Sequence, residues 1–222
     1  MAPFGKIYSY PGNFRVQRAQ VLAELNGLEI AVADGFQMGV TNKTEDFLAK
    51  FPMGKVPAFE GADGFCLAEG AAIAAYAAAS GPKAAQLLGD DVQTRARIAE
   101  WSCFAESELI GNALPVAGMV VFKVYPMDEA KLASSLKSLD RALQRVETGL
   151  KGGRTTLVGD KVTMADVMVG GVLAFAFKFL VGADMRKNIP DTVAFVEKLA
   201  AVPEFKKHFG ELEMCEKTAG KA

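Results

Sequence analysis

Few residues in this chain have types and spacing that suggest chemistry, and they cluster in residues 51–74, FPMGKVPAFEGADGFCLAEGAAIA. Val56-Pro57-Ala58-Phe59 reads as a short apolar strand, yet a proline cannot donate to a sheet ladder. A cis Val56–Pro57 bond at the strand's start resolves this, turning the Val56 N–H and C=O outward where an extended peptide can pair with them. Glu69-Gly70 opens an alanine-rich helix whose first N–H groups attract an anion, while the glutamate can accept from an ammonium group. A carboxylate and an ammonium on one carbon, beside a peptide backbone, describe a γ-glutamyl peptide. Each feature alone also fits a plainer reading: a loop-ending proline, and a first-turn glutamate placed for the helix dipole.

The other reactive side chains favour structural roles. Cys66, Cys103 and Cys215 have no metal-ligand spacing and form no C-x-x-C pair, so no dithiol or zinc motif is present. Cys66 reads as an inert buried strand thiol, and Cys103 as one that can face an interdomain cleft, with nothing in the sequence to make it reactive. The single histidine, His208, reads as a surface residue. Trp101 and Phe104 stand at helical spacing and read as core. Thr163-Met164-Ala165-Asp166 fits a capping box, with Val162 and Val167 placed to staple across it. Asp166 then becomes a buried carboxylate held by backbone N–H groups. Asn42-Lys43-Thr44 matches a glycosylation acceptor, most simply by chance.

These residues must be positioned by a chain of 222 residues, half of them hydrophobic, with net charge −1. That length supports one or two domains with a sizeable core. The charge balance gives no reason to expect nucleic acid. The apolar runs are too short to cross a bilayer, and the N-terminus lacks a signal pattern. The expectation is a cytoplasmic protein with reduced thiols and neither a membrane nor a metal requirement.

The first 80 residues read as β-α-β-α-β-β-α. The strands are expected at Gly5–Tyr10, Glu29–Val32, Val56–Phe59 and Gly64–Leu67, and the helices at Arg15–Leu25, Thr44–Lys50 and Glu69–Ala79. Either Asn42 or Thr44 can cap the second helix. Gly81-Pro82-Lys83 marks a change of composition, after which the chain reads as helical. Helices are expected at Asp91–Phe122 (bent or broken near Asn112–Pro115), Met127–Leu150, Thr163–Leu180, Ile189–Ala201 and Glu204–Gly210. Thr218–Ala222 is small and polar, like the start of a linker.

This order, with Val56-Pro57, Glu69-Gly70 and Thr163-x-x-Asp166, resembles the glutathione transferase fold. More narrowly, Ile7–Pro11, Thr41–Ala74, Val158–Val167 and Gly210–Ala219 resemble the transferase-like domain of the gamma subunits of translation elongation factor 1. The resemblance implies an α/β thioredoxin-like domain over 1–82 and an all-α domain over 88–217. It also implies a glutathione site. Val56 would bond the cysteinyl part through its backbone and Pro57 would be the cis-proline. Lys55 would meet the glycyl carboxylate, and Glu69 with the Gly70 N–H would hold the γ-glutamyl end.

By the same resemblance the partners are the factor's nucleotide-exchange subunits and a second copy of the chain in a homodimer. The role is then scaffolding in translation elongation, and the alternative is an active transferase conjugating glutathione to electrophiles. Two departures stand out. Transferases carry serine where this chain has Gly70, a loss of one hydrogen bond worth about 1.5–3 kcal/mol. The thiol-activating donor is also unassigned among Tyr8, Ser9, Tyr10 and Asn13, with Tyr10 and Ser9 the catalytic candidates. Arg15 adds positive potential there, or serves as a solvated or capping residue.

Overall fold

The computed structural model describes residues 3–220. The chain divides into two compact units, Met1–Asp91 and Val92–Ala222.

The first unit has the expected element order. It comprises β1 (Gly5–Tyr8), α1 (Phe14–Leu25), β2 (Ile30–Val32), a 3-10 turn (Thr41–Lys43), α2 (Glu45–Lys50), β3 (Ala58–Gly61), β4 (Cys66–Ala68) and α3 (Gly70–Ala79). The sheet order is β2-β1-β3-β4. β2 runs parallel to β1 because the α1 crossover returns the chain in the same direction. β3 and β4 are antiparallel neighbours.

Side chains alternate across the sheet. Ile7 pairs with Phe59, and both are fully buried on the face opposite Tyr8. Tyr8 and Ala58 pair on that other face, where they pack with Phe47 and Phe51.

The strands shift from the sequence expectation, β2 starting one residue later and β4 running over Cys66–Ala68, and two of the shifts have a clear cause. β1 ends at Tyr8 rather than Tyr10: the next register position, opposite Ser9, is Pro57, which has no N–H to give the ladder. β3 begins at Ala58 rather than Val56: the proline precedes the strand instead of interrupting it, which satisfies the ladder without a missing donor. Thr44 is the cap of α2, accepting from the Phe47 N–H at 3.3 Å. Asn42 is buried and bonded elsewhere, which fits the chance reading of its glycosylation pattern.

Asn26 does more than end α1. Its amide donates to the carbonyls of Ala77 and Ala78, each at 2.9 Å, and accepts from the Lys83 N–H at 2.7 Å. One buried side chain thus ties the α1 end to the α3 end. Gly81 is required there, since a Cβ would run into the Asn26 side chain. The short helix α4 (Ala84–Leu88) follows; five residues are too few to show a periodicity.

The second unit is helical. α5 (Val92–Phe104) and α6 (Ile110–Val116) are joined by a π-helical turn at Ala105–Leu109, and a second π turn covers Ala117–Val121. The path is helical through Pro115 rather than broken there. Wider turns on both sides accommodate a ring that would clash with the preceding turn. Trp101 is buried and meets Phe104 edge-on with ring centroids 5.5 Å apart.

α7 (Glu129–Leu150) starts where Asp128 accepts from the Lys131 N–H at 2.9 Å. α8 (Met164–Phe179) is buried along most of its length. α9 (Ala183–Arg186), α10 (Pro190–Ala200) and α11 (Pro203–Phe209) complete the unit. The segment after α11 is not a free linker through Gly220. Cys215 N–H donates to the Phe177 carbonyl, Ala219 N–H to the Leu180 carbonyl, and Thr218 is buried. Lys221 and Ala222 lie outside the described residues.

Asp166 closes the capping box at the α8 start. One carboxylate oxygen accepts from the Leu157 N–H at 2.7 Å. The other accepts from the Thr163 N–H at 2.7 Å and hydroxyl at 2.9 Å. Burial pushes this carboxyl up to about 6, against the opposing pull of those donors.

Candidate glutathione site

The antiparallel register decides what comes together. Tyr8 pairs with Ala58, and Ala58 with Ala68. One step beyond that row lie Ser9 at the end of β1, Pro57 before β3, and Glu69 after β4. Residues spread over sixty positions therefore share one end of the sheet.

The Val56–Pro57 bond is cis. Pro57 is buried and Val56 half-buried. Among the described residues no hydrogen bond uses the Val56 backbone, so its N–H and C=O remain available to an extended ligand. Lys55 is exposed beside it.

Sequence reasoning missed what braces this segment. Asn42 donates to the Gly54 carbonyl at 2.6 Å and accepts from the Gly39 N–H at 2.6 Å. A buried asparagine so far from Gly54 in sequence leaves no local pattern to read.

Glu69 is exposed at the N-cap of α3 with φ of 69°, a left-handed conformation that non-glycine residues seldom adopt. Its side chain makes no capping bond, so the carboxylate is not used by the helix. Gly70 opens α3 with the free first-turn N–H groups of a helix start. Its lack of a side chain has a packing consequence. A Cβ there would lie 3.1 Å from both Cβ and Cδ of Arg15 on α1. The glycine therefore lets α1 and α3 approach closely; a serine Cβ would be pressed against the Arg15 stem, which would have to give by a few tenths of an ångström.

The hydroxyls at the end of β1 sort themselves. Tyr8 donates to Glu60 Oε2 at 2.7 Å and packs edge-on against Phe47 and Phe51, so it is committed to the sheet face. Burial, then the Glu60 bond, raises its pKa. Glu60 also meets Lys50 at 2.7 Å and Lys6 at 3.4 Å. The Lys50 bond foremost, then Tyr8, holds its carboxyl at about 2. Tyr10 points outward, 46% exposed. Ser9 is buried and its oxygen accepts from Asn13 Nδ2 at 3.0 Å. With that acceptor position filled, the Ser9 proton is directed elsewhere.

No helix among the described residues is long and apolar enough to cross a membrane. Among them no cluster of histidine, cysteine or acidic residues is placed to hold a metal ion. Cys66 and Cys215 are half-buried and Cys103 is exposed; the Cys66 position corrects the expectation of a fully buried thiol.

Comparison with known proteins gives consistent matches. The glutathione S-transferase N-terminal domain model matches residues 3–79 and the C-terminal domain model residues 111–203. A glutathione S-transferase-like protein of a Fusarium species, LUC7, is 43% identical over 95% of this chain and 94% of its own length. Elongation factor 1-gamma of Artemia salina is 36% identical over 96% of this chain; the match spans 48% of that longer protein. Among solved structures, the transferase-like domain of Saccharomyces cerevisiae elongation factor 1-gamma superposes over all of both chains with a TM-score of 0.80 at 25% identity. A theta class glutathione S-transferase of Xanthomonas axonopodis, solved with glutathione bound, shares the fold with a TM-score of 0.80 at 23% identity. Matched in both domains and by a relative of nearly equal span, the chain belongs to the glutathione S-transferase family.

Proposed function

We propose that this chain binds glutathione at the end of its sheet and conjugates it to electrophiles, with Ser9 as the donor to the thiolate. The observation that carries this reading is the shared row of Ser9, Pro57 and Glu69 set by the strand register. Val56 bonds the cysteinyl part through its backbone, and Lys55 meets the glycyl carboxylate. Glu69 accepts from the γ-glutamyl ammonium, while the Gly70 N–H and the helix start receive its carboxylate. Ser9 donates to the sulfur, which favours the thiolate over the thiol and lowers its pKa. The thiol proton passes to water, the sulfur lone pair forms the new bond to the electrophilic carbon, and the leaving group departs with its bonding pair.

A second reading rests on the likeness to elongation factor 1-gamma: a scaffold that assembles with nucleotide-exchange subunits in the cytoplasm as a homodimer. Its support is the full-length superposition on the yeast domain. Met38, Val40 and Met53 are exposed apolar side chains on segments that Asn42 ties together, a surface suited to protein contact.

One experiment separates the two. Calorimetric titration with glutathione is run beside a conjugation assay with an aromatic halide, and an exchange subunit is offered in a pull-down. Saturable binding with turnover supports the transferase. No binding together with capture of the exchange subunit overturns it in favour of the scaffold.

A further inference from the structure

The second unit contains a cavity of about 220 Å³ between the loop that leads into α8 and the helix α10. Its charged groups are arranged across it. Asp160 stands on the loop wall and Lys198 on the α10 wall, both exposed to solvent. Among the described residues neither forms an ion pair or a side-chain hydrogen bond, and neither does the Thr155 hydroxyl. An acid and a base that line one cavity without pairing leave room between them for a partner of both charges.

The apolar part of the wall is Val162, Leu199 and Val202. Asp166 and Thr156 also reach the cavity but are already committed. The Asp166 oxygens accept from Leu157 and Thr163, and the Thr156 hydroxyl donates to the Gly159 carbonyl at 2.7 Å. These bonds make the loop wall rigid, since α8 begins on the same network. The lining is thus mixed, five polar or charged residues beside three apolar ones, a composition that suits a small ligand with two charged groups and a short apolar part better than a wholly apolar one.

We propose that this cavity is a binding site for a free aliphatic α-amino acid. The ligand ammonium is received by Asp160 and the Thr155 hydroxyl. The ligand carboxylate is received by Lys198. The aliphatic side chain lies against Val162, Leu199 and Val202. The site lies wholly within the second unit and uses no residue of the glutathione site.

L-leucine is the probe. It is titrated into the full chain and followed by nuclear magnetic resonance shifts of the residues around the cavity. The expected result is saturable binding in the millimolar range or tighter. 3-Methylbutylamine, which lacks the carboxylate, and 4-methylpentanoate, which lacks the ammonium, bind about tenfold or more weakly, as expected for losing one charge-assisted bond. Asp160→Asn and Lys198→Met each weaken L-leucine by a similar factor. Both positions are exposed, and a melting curve for each variant checks that the unit stays folded. The proposal is overturned if L-leucine gives no saturable shifts, or if both variants bind it as the parent does.

Discussion

The Asn13 amide nitrogen donates to the Ser9 hydroxyl at 3.0 Å, while its amide oxygen caps α1 by accepting from the Arg15 N–H at 3.0 Å. One asparagine thus caps the helix start and occupies one acceptor position of the serine, leaving its proton free for another partner. Ser9→Ala should raise the pKa of enzyme-bound glutathione thiol and lower kcat about tenfold to a hundredfold, the value of one hydrogen bond to a charged group. Tyr10→Phe should leave both unchanged. The thiolate absorbance of bound glutathione, followed against pH, is the measurement. An unaltered thiol pKa in Ser9→Ala removes the assigned role of the serine.

Gly70→Ser tests whether the missing hydroxyl or the close helix approach governs this position. Serine is the better helix former, but its Cβ would lie 3.1 Å from Arg15 Cβ and Cδ. We expect a loss of about 1–2 kcal/mol in stability from overpacking, recovered when Arg15→Ala is added. Urea melts of the two single variants and the double variant read out the coupling. Additive effects would show that the two residues do not crowd each other.

Glu69 holds a positive φ of 69° without a glycine. Glu69→Gly should stabilise the fold by about 1 kcal/mol through relief of that conformation and weaken glutathione by removing the ammonium acceptor. Glu69→Ala should weaken glutathione without the gain in stability. Denaturation midpoints and calorimetric affinities for both variants decide this. A Glu69→Gly protein that binds as tightly as the parent rules out the carboxylate as a ligand contact.

Glu60 carries a pH dependence of definite sign. Its folded pKa, about 2, lies below the ordinary 4.5, chiefly through Lys50 and then Tyr8. The ionised form is therefore favoured by folding. Its contribution is fully present above pH 4.5 and is lost as the pH falls from there toward 2. We expect roughly 1–2 kcal/mol after screening at the exposed lysines. Melting temperatures between pH 5 and pH 2.5 should fall less steeply in Glu60→Gln than in the parent; parallel slopes would refute the assignment.

Asp166 acts in the opposite sense. Its folded carboxyl, at about 6, lies above the ordinary 3.8 because of burial. The native state then binds more protons between these values, so this group's contribution falls as pH rises from 4 to 6. Asp166→Asn should remove that slope. Asp166→Ala should cost about 2–4 kcal/mol, since it strands the Leu157 and Thr163 donors in the interior. Thermal unfolding of the parent and both variants across this window checks each statement.

The sequence by itself determined the elements that local chemistry specifies. Alternating and helical periodicities marked the element order of the first unit. The Thr163-x-x-Asp166 spacing marked the α8 start, because a capping box is closed within four residues. The proline at position 57 announced an unusual peptide, since it has no N–H to give a ladder. What only the tertiary structure decided depends on partners far apart in the chain. Register alone places Ser9, Pro57 and Glu69 in one row. Asn42 reaches Gly54 and Asn26 reaches Ala77, contacts with no sequence period. The surroundings of the hydroxyls near the end of β1 were illegible because strand alternation gives faces but not partners; Tyr8 bonds Glu60, Ser9 accepts from Asn13, and Tyr10 is exposed. Gly70 looked like a lost serine, and only the tertiary structure sets the Arg15 stem of another helix close against it. Short helices such as α4 and α9 escaped because tertiary packing, not propensity, holds helices of so few residues.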